Sequence, residues 1–384
     1  MPLIALSDDE LRAGCGLKWG RAPAGVIPAD VAELDFAVAP RIRAVLSAAV
    51  ERSGFGYPDY TGGAPVRLAE VFAGRTLRLA GWAPDPGRVE VCAQVAQALC
   101  CAVLAFTRPG DEVLVHSPTY PPFLEAIRSL GRRPLLLPVG EVAGEGWAEV
   151  ESAARLRLIV LCQPHNPTGH VFDRVALERL AGLAVRRDAV VFADEIHAEI
   201  VYPDSEFLSI ASVRNVAERT IVFTSAAKSF NIAGLRCAVG HFGSDDLHAR
   251  FRMLPWHLRS GAGALGIAAT ITAWEACDDW LDQLREQLAK NRTRLTEFMA
   301  HFTQVRYTQP AATYLSWMDL GATPFGSDAH HLLAKAAKIS LQPGSVFGAS
   351  LEGFVRFNFG TSEARLDSLL ERFGRALEAC GGKG

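Results

Sequence analysis

Four short segments hold most of the residue types that could do chemistry. Ser117-Pro118-Thr119-Tyr120-Pro121-Pro122 sets a phenol between prolines, and Gln163-Pro164-His165-Asn166-Pro167-Thr168-Gly169 offers two amides and an imidazole. Asp194-Glu195-Ile196-His197 puts two acids beside a histidine, and Ser225-Ala226-Ala227-Lys228-Ser229-Phe230-Asn231 carries a lysine among hydroxyls. Taken singly these are ordinary. A lysine after a strand is commonly a solvated loop residue, an aspartate closing a strand is commonly an N-cap or turn former, and Asn-Pro initiates turns. A tyrosine between prolines can simply pack. Their joint spacing is less ordinary: Asn166 precedes Asp194 by 28 residues, Ser225 precedes Lys228 by three, and Arg236 follows Lys228 by eight.

Each segment follows a run that reads as a buried strand. Residues 112–116, 156–161, 188–193 and 219–224 are nearly continuous apolar stretches, the pattern of a sheet covered on both faces. Between the second and third, residues 173–187 place Val175, Ala176, Leu180, Leu183 and Ala184 at helical spacing. Strand–helix–strand alternation predicts an α/β fold with a mostly parallel central sheet. Ligands of such sheets bind beyond the carboxyl ends of the strands. The four runs would therefore bring Tyr120, Asn166, Asp194 and Lys228 toward one mouth. A buried lysine there, near a carboxylate and an anion-binding segment, is the constellation that a pyridoxal phosphate enzyme needs.

From about Asp279 the pattern changes. Leu281, Leu284, Leu288, Leu295, Phe298 and Phe302 recur at three-, four- and seven-residue steps, which predicts one long amphipathic helix. Residues 314–319 and 354–359 then alternate as half-buried strands. We expect a large domain over residues 46–280. A smaller α+β domain would be built from residues 1–45 and 281–384.

The chain has 384 residues, 49% of them apolar, 21% charged, and a formal charge of −3. That composition is globular, and it offers no basic excess for nucleic acid. The first residues lack a signal-peptide pattern, and the most apolar stretch, 98–106, is far below the roughly 20 residues that span a bilayer. The eight cysteines are scattered without a C-x-x-C pair, which argues against a disulfide framework or a cysteine zinc site. We expect a cytoplasmic protein without metal, nucleic-acid or membrane partners.

The intervals around Asn166, Asp194, Ser225, Lys228 and Arg236 match the cofactor site of fold-type I pyridoxal phosphate enzymes. From about Leu17 to Ala379 the chain resembles the class I/II aminotransferase superfamily. Within it, Leu17-Lys18-Trp19, residues 31–36 (VAELDF), Gly56-Tyr57-Pro58, Asp194-Glu195-Ile196-His197 and Ala312-Thr313-Tyr314-Leu315 resemble the cystathionine β-lyase-like C–S lyases of the MalY/PatB type. The resemblance implies that Lys228 bonds to the cofactor aldehyde and later takes the Cα proton. Asp194 would keep the ring nitrogen protonated, so that the ring accepts electrons. Tyr120 would stack on the ring. Asn166 would donate to the phenolate oxygen, and His197 would support either that oxygen or Asp194. Ser225, Arg236 and the backbone of Gln94, Val95 and Ala96 at a helix start would hold the phosphate. Tyr57 would reach the phosphate of a neighbouring subunit, implying a homodimer with shared sites. Arg356 would grip the substrate α-carboxylate as a bidentate pair, with the backbone of Ala32 and Glu33 close by.

Two positions depart from that subgroup. Ala93 and Gln94 stand where it usually carries Pro-Gly, and Asp30 stands where it commonly carries a tryptophan, so that Asp30 either signals a different substrate side chain or is simply solvated. The implied activity is β-elimination from cystathionine or another cysteine S-conjugate, an amino-acid substrate, giving a thiol, pyruvate and ammonia. An aminotransferase shares every step up to Cα deprotonation, and a tailoring enzyme on a large cysteine conjugate fits the departures. A regulator with a vestigial site is disfavoured by the complete set of Lys228, Asp194, Asn166 and Arg236. The H-x-E of His197-Ala198-Glu199 lacks the downstream P-C-x-x-C of zinc deaminases, and no G-x-G-x-x-G follows a strand.

Overall fold

The computed structural model describes residues 3–14, 16–59 and 62–381. Met1, Pro2 and Cys15, used in the sequence reading, lie outside the described residues, as does the side chain of Cys380. The other six cysteines are free thiols. No described helix is long and apolar enough to cross a membrane.

The chain divides into two units: one holds Val38–His165 and His170–Asp278, the other the residues up to Ala37, Asn166–Gly169 and the chain from Asp279 onward. The division at Ala37/Val38 differs from the expected 45/46 for a packing reason. The helix Pro40–Glu51 lies against the helix Ala264–Ala276 of the larger unit. Asn166–Gly169 go with the smaller unit because the Gly169 carbonyl accepts the N–H groups of Ala311 and Ala312, each at 3.0 Å. Gly169 has φ +68°, and a Cβ there would lie 2.4 Å from the Pro310 Cβ, so this turn requires glycine.

In the larger unit seven strands form one sheet, in the order Val89–Cys92, Ala238–Phe242, Thr220–Thr224, Val190–Asp194, Leu156–Cys162, Glu112–Ser117, Arg133–Pro138. The last five run parallel, and Ala238–Phe242 is antiparallel to both its neighbours. The four runs read from the sequence are four consecutive strands among the five inner ones. Successive residues point to opposite faces, and both faces are buried. Val113, Val115, Leu158, Val160 and Phe192 join a core with the helices Val95–Phe106 and Pro121–Ser129. Leu114, Ile159, Leu161 and Val191 join another with the helix Arg174–Arg187. That double burial is why these runs are continuously apolar. The sequence reading missed Val89–Cys92, Arg133–Pro138 and Ala238–Phe242. The first two are edge strands with half-exposed positions. The third contains Gly240, where a Cβ would fall 2.5 Å from the Phe223 ring.

The smaller unit has an antiparallel sheet in the order Gln342–Pro343, Phe354–Asn358, Leu315–Asp319, Arg306–Tyr307. A parallel pair joins Ile27–Pro28 to Ile339–Ser340. The long helix spans Asp278–Met299 and buries Leu281, Leu284, Leu288 and Leu295 along one stripe. It stops before the expected Phe302, where the chain leaves in tight turns at His301 and Phe302. Its buried Asn291 donates to the carbonyls of Phe359 and Thr361 at 2.9 and 2.6 Å.

Candidate active site

In the larger unit, register places Cys162 beside Asp194 and Asp194 beside Phe223, so three strand carboxyl ends are level. Asp194 is buried, and its Oδ1 accepts the N–H of Ile196 at 3.1 Å. Burial pushes this carboxyl up to about 7, while the Ile196 N–H and the charge of Lys228 pull it down. Its neighbour Glu195, which the sequence reading left without a role, is also buried and pushed up to about 8, with the Ser209 hydroxyl donating to it at 2.7 Å. Two adjacent buried acids cannot both ionise without cost, and Asp194 adds to the rise at Glu195.

Lys228 is half-buried in the turn after Thr220–Thr224. That turn is tied down by Ser225, whose hydroxyl donates to the Cys237 carbonyl at 2.5 Å and accepts the Ala227 N–H at 3.1 Å. Tyr120, the N-cap residue of Pro121–Ser129, is half-buried and meets Phe123 edge-on at 5.4 Å. His197 is buried. Burial first, then His116, His170 and His197, hold His165 well below the ordinary imidazole range, so it is neutral at neutral pH.

The expected anion site is also in this unit. Gln94 is the N-cap residue rather than the first helical residue of Val95–Phe106, with no side-chain cap bond. The first N–H groups of a helix have no acceptor within it and carry the positive end of its dipole. Arg236, in the left-handed region at φ 53°, donates to the Gln94 side-chain oxygen. The turn is fixed by Gln97, which sequence reasoning missed although it stands one turn from Gln94 in an apolar helix. Its oxygen accepts the Ala93 N–H at 2.9 Å, and its amide donates to the Leu258 and Ser260 carbonyls, each at 2.7 Å. Glu199 of the H-x-E triplet pairs with Arg75 at 2.7 Å. Tyr57 is 99% exposed.

In the smaller unit Arg356 is buried on the strand Phe354–Asn358. It donates from Nη1 to Asn166 Oδ1 at 2.9 Å and from Nη2 to the Asp30 carbonyl at 2.6 Å. Asn166 is therefore oriented by its oxygen, with the amide nitrogen left as a donor. The segment around Ala32 and Glu33 is pinned. The Ala32 carbonyl accepts the Tyr314 hydroxyl at 3.1 Å, and the Glu33 carbonyl accepts Asn358 Nδ2 at 2.7 Å. The Glu33 carboxylate caps the short helix Leu17–Gly20 by accepting the N–H groups of Leu17 and Lys18.

The model of the family "Aminotransferase class I and II" matches residues 65–373. The chain belongs to this family. A cystathionine β-lyase of Corynebacterium glutamicum is 32% identical over 378 residues, spanning 96% of this chain and 98% of the relative. The cystathionine β-lyase PatB of Bacillus subtilis is 30% identical over 363 residues, spanning 91% and 92%. Among solved structures, a candidate pyridoxal phosphate-dependent β-cystathionase from Corynebacterium diphtheriae superposes with a TM-score of 0.91 at 32% identity, covering 98% of this chain and 99% of that one. The fold is that of fold-type I pyridoxal phosphate enzymes of the aminotransferase class I and II family.

Proposed function

We propose that this chain is a pyridoxal phosphate-dependent C–S β-lyase. It takes a cysteine S-conjugate and water to a free thiol, pyruvate and ammonium. The observation that carries this reading is the buried Asp194 at a strand end, with the Lys228 charge acting on it. The donor set fits the cofactor. A buried carboxyl that accepts a single N–H among the described residues suits a protonated ring nitrogen. Arg236, resting on a neutral amide oxygen, together with the start of Val95–Phe106, suits a phosphate dianion.

When bound, pyridoxal phosphate supplies an aldehyde that condenses with amines and a ring that accepts the electron pair left at Cα. Asp194 holds the proton on the ring nitrogen. Lys228 provides the amine that anchors the cofactor and then takes the proton from the substrate Cα. Tyr120 is assigned to the ring face, and Asn166, through its amide nitrogen, with His197 to the phenolate oxygen. Gln94, Val95, Ala96, Ser225 and Arg236 are assigned to the phosphate. Ser225 must turn its hydroxyl away from the Cys237 carbonyl to donate there. Arg356 takes the α-carboxylate, flanked by Ala32 and Glu33. The protein acts as a homodimer in which Tyr57 serves the partner subunit's phosphate. The six described free thiols support a cytoplasmic setting.

The test uses purified protein loaded with pyridoxal phosphate and given L-cystathionine, then a larger S-alkyl cysteine. Pyruvate and thiol should appear in equal amounts, with the cofactor spectrum restored at the end. Conversion to the pyridoxamine form without thiol would make the chain an aminotransferase. Lys228→Ala should lose the absorbance of the lysine-bound cofactor, and a mutant that kept it would remove Lys228 from its assigned role.

A further inference from the structure

Asp30 has no part in the reading above, yet it stands beside the group assigned to the substrate. It follows the strand Ile27–Pro28, which pairs with Ile339–Ser340. Its Oδ1 accepts the Val31 N–H at 2.9 Å, and its Oδ2 accepts the Ser340 hydroxyl at 3.2 Å. Its carbonyl oxygen accepts Arg356 Nη2 at 2.6 Å. One residue thus seats the guanidinium through its backbone carbonyl and also carries a half-buried carboxylate. Among the described residues, that carboxylate is in no ion pair with a lysine or arginine.

The nearest titratable ring does not neutralise it. Burial, then His331, lowers His330 below the ordinary imidazole range, while Asp328 and Asp30 act in the opposite direction, so His330 is mostly neutral at neutral pH. Aromatic faces complete the surroundings. Arg356 lies over Phe347 at 5.0 Å, Phe347 meets Trp317 at 5.2 Å, and Trp317 is the cross-strand neighbour of Arg356.

Charge accounting then points one way. With a substrate α-carboxylate neutralising Arg356, the acids left around His330 are Asp30 and Asp328. A carboxylate attracts a cation, tolerates a neutral group and repels an anion. We propose that Asp30 is a specificity-determining residue that selects cysteine S-conjugates whose thiol portion carries an amino or other cationic group. This rests on the assignment of the α-carboxylate to Arg356 in the lyase reading.

The experiment compares thiol release by the holoenzyme from S-(2-aminoethyl)-L-cysteine, S-propyl-L-cysteine and S-carboxymethyl-L-cysteine, which differ mainly in charge. We expect kcat/KM to favour the amine over the propyl compound by about tenfold, with the acid slowest. In Asp30→Asn the amine-to-propyl ratio should fall to about one, and Asp30→Glu should keep the order. Calorimetric binding of L-lysine against L-norleucine, which have no leaving group, gives a second readout. L-lysine should bind more tightly to the wild type and equally to Asp30→Asn. If no conjugate releases thiol, the lyase reading fails and the binding pair alone decides the role of Asp30. If thiol is released without a charge order, or the order survives in Asp30→Asn, the selection is wrong while the lyase reading stands.

Discussion

At the scale of single residues the site is defined by groups held away from their ordinary protonation. Asp194 and Glu195 sit at about 7 and about 8, against 3.8 and 4.5 for free side chains, because burial penalises their charged forms. The sign follows directly. Both folded-state values are raised, so between these limits the folded chain binds more protons than the unfolded chain. Their contribution to stability is complete below about pH 4 and is lost as the pH rises through about 7 and 8. The thermal midpoint of the cofactor-free protein should therefore fall between about pH 5 and pH 8.5, and the fall should be shallower in Asp194→Asn. Added pyridoxal phosphate should offset it at high pH in the wild type, because the ring nitrogen gives Asp194 a cationic partner. An equal slope in wild type and Asp194→Asn would contradict that account.

At the scale of elements, two motifs of the sequence reading turn out to be structural. Lys18, 2% exposed, pairs at 2.9 Å with Asp35, 1% exposed, and the Trp19 indole donates to the same oxygen at 2.7 Å. Arg365 of the helix Glu363–Gly381 lies 3.6 Å from the other Asp35 oxygen and 5.0 Å from the Trp19 ring. Lys18, Trp19 and Asp35 are thus one buried anchor for the N-terminal segment. Removing one partner of a buried pair strands the other charge, which costs about 3–5 kcal/mol. Asp35→Ala should destabilise the protein by about that much in urea unfolding. The double variant Lys18→Met/Asp35→Leu should be milder, because it leaves no stranded ion. A double variant at least as damaged as Asp35→Ala would show that the pair itself, rather than a stranded charge, matters.

At the scale of the whole molecule, the expected homodimer makes a prediction of its own. Tyr57 is 99% exposed, and Val50, Phe55 and Val66 are exposed apolar residues of the same stretch of chain, suited to cover by a second copy. Light scattering should report twice the chain mass. If Tyr57 serves the partner's phosphate, Tyr57→Ala and Lys228→Ala chains denatured and refolded together should regain about a quarter of wild-type activity, because half of random dimers carry one intact site. No recovery from a mixture shown to contain heterodimers would place Tyr57 outside the partner's site. Four of the five inner strands of the large sheet, the helix 173–187 and the long helix were legible in the sequence. Burial on two faces writes a continuous apolar run, and burial on one face writes a helical stripe. Edge strands such as Arg133–Pro138 write neither, because half their positions meet water. Intervals along the chain, matched to those of a known family, likewise marked Asp194, Lys228 and Arg236 as candidates. The pairing of Arg356 with Asn166, 190 residues away, of Arg236 with Gln94, 142 away, and of Ser340 with Asp30, 310 away, was decided by tertiary structure alone. A side-chain hydrogen bond depends on which backbones the fold brings within about 3 Å, and linear spacing holds no record of that.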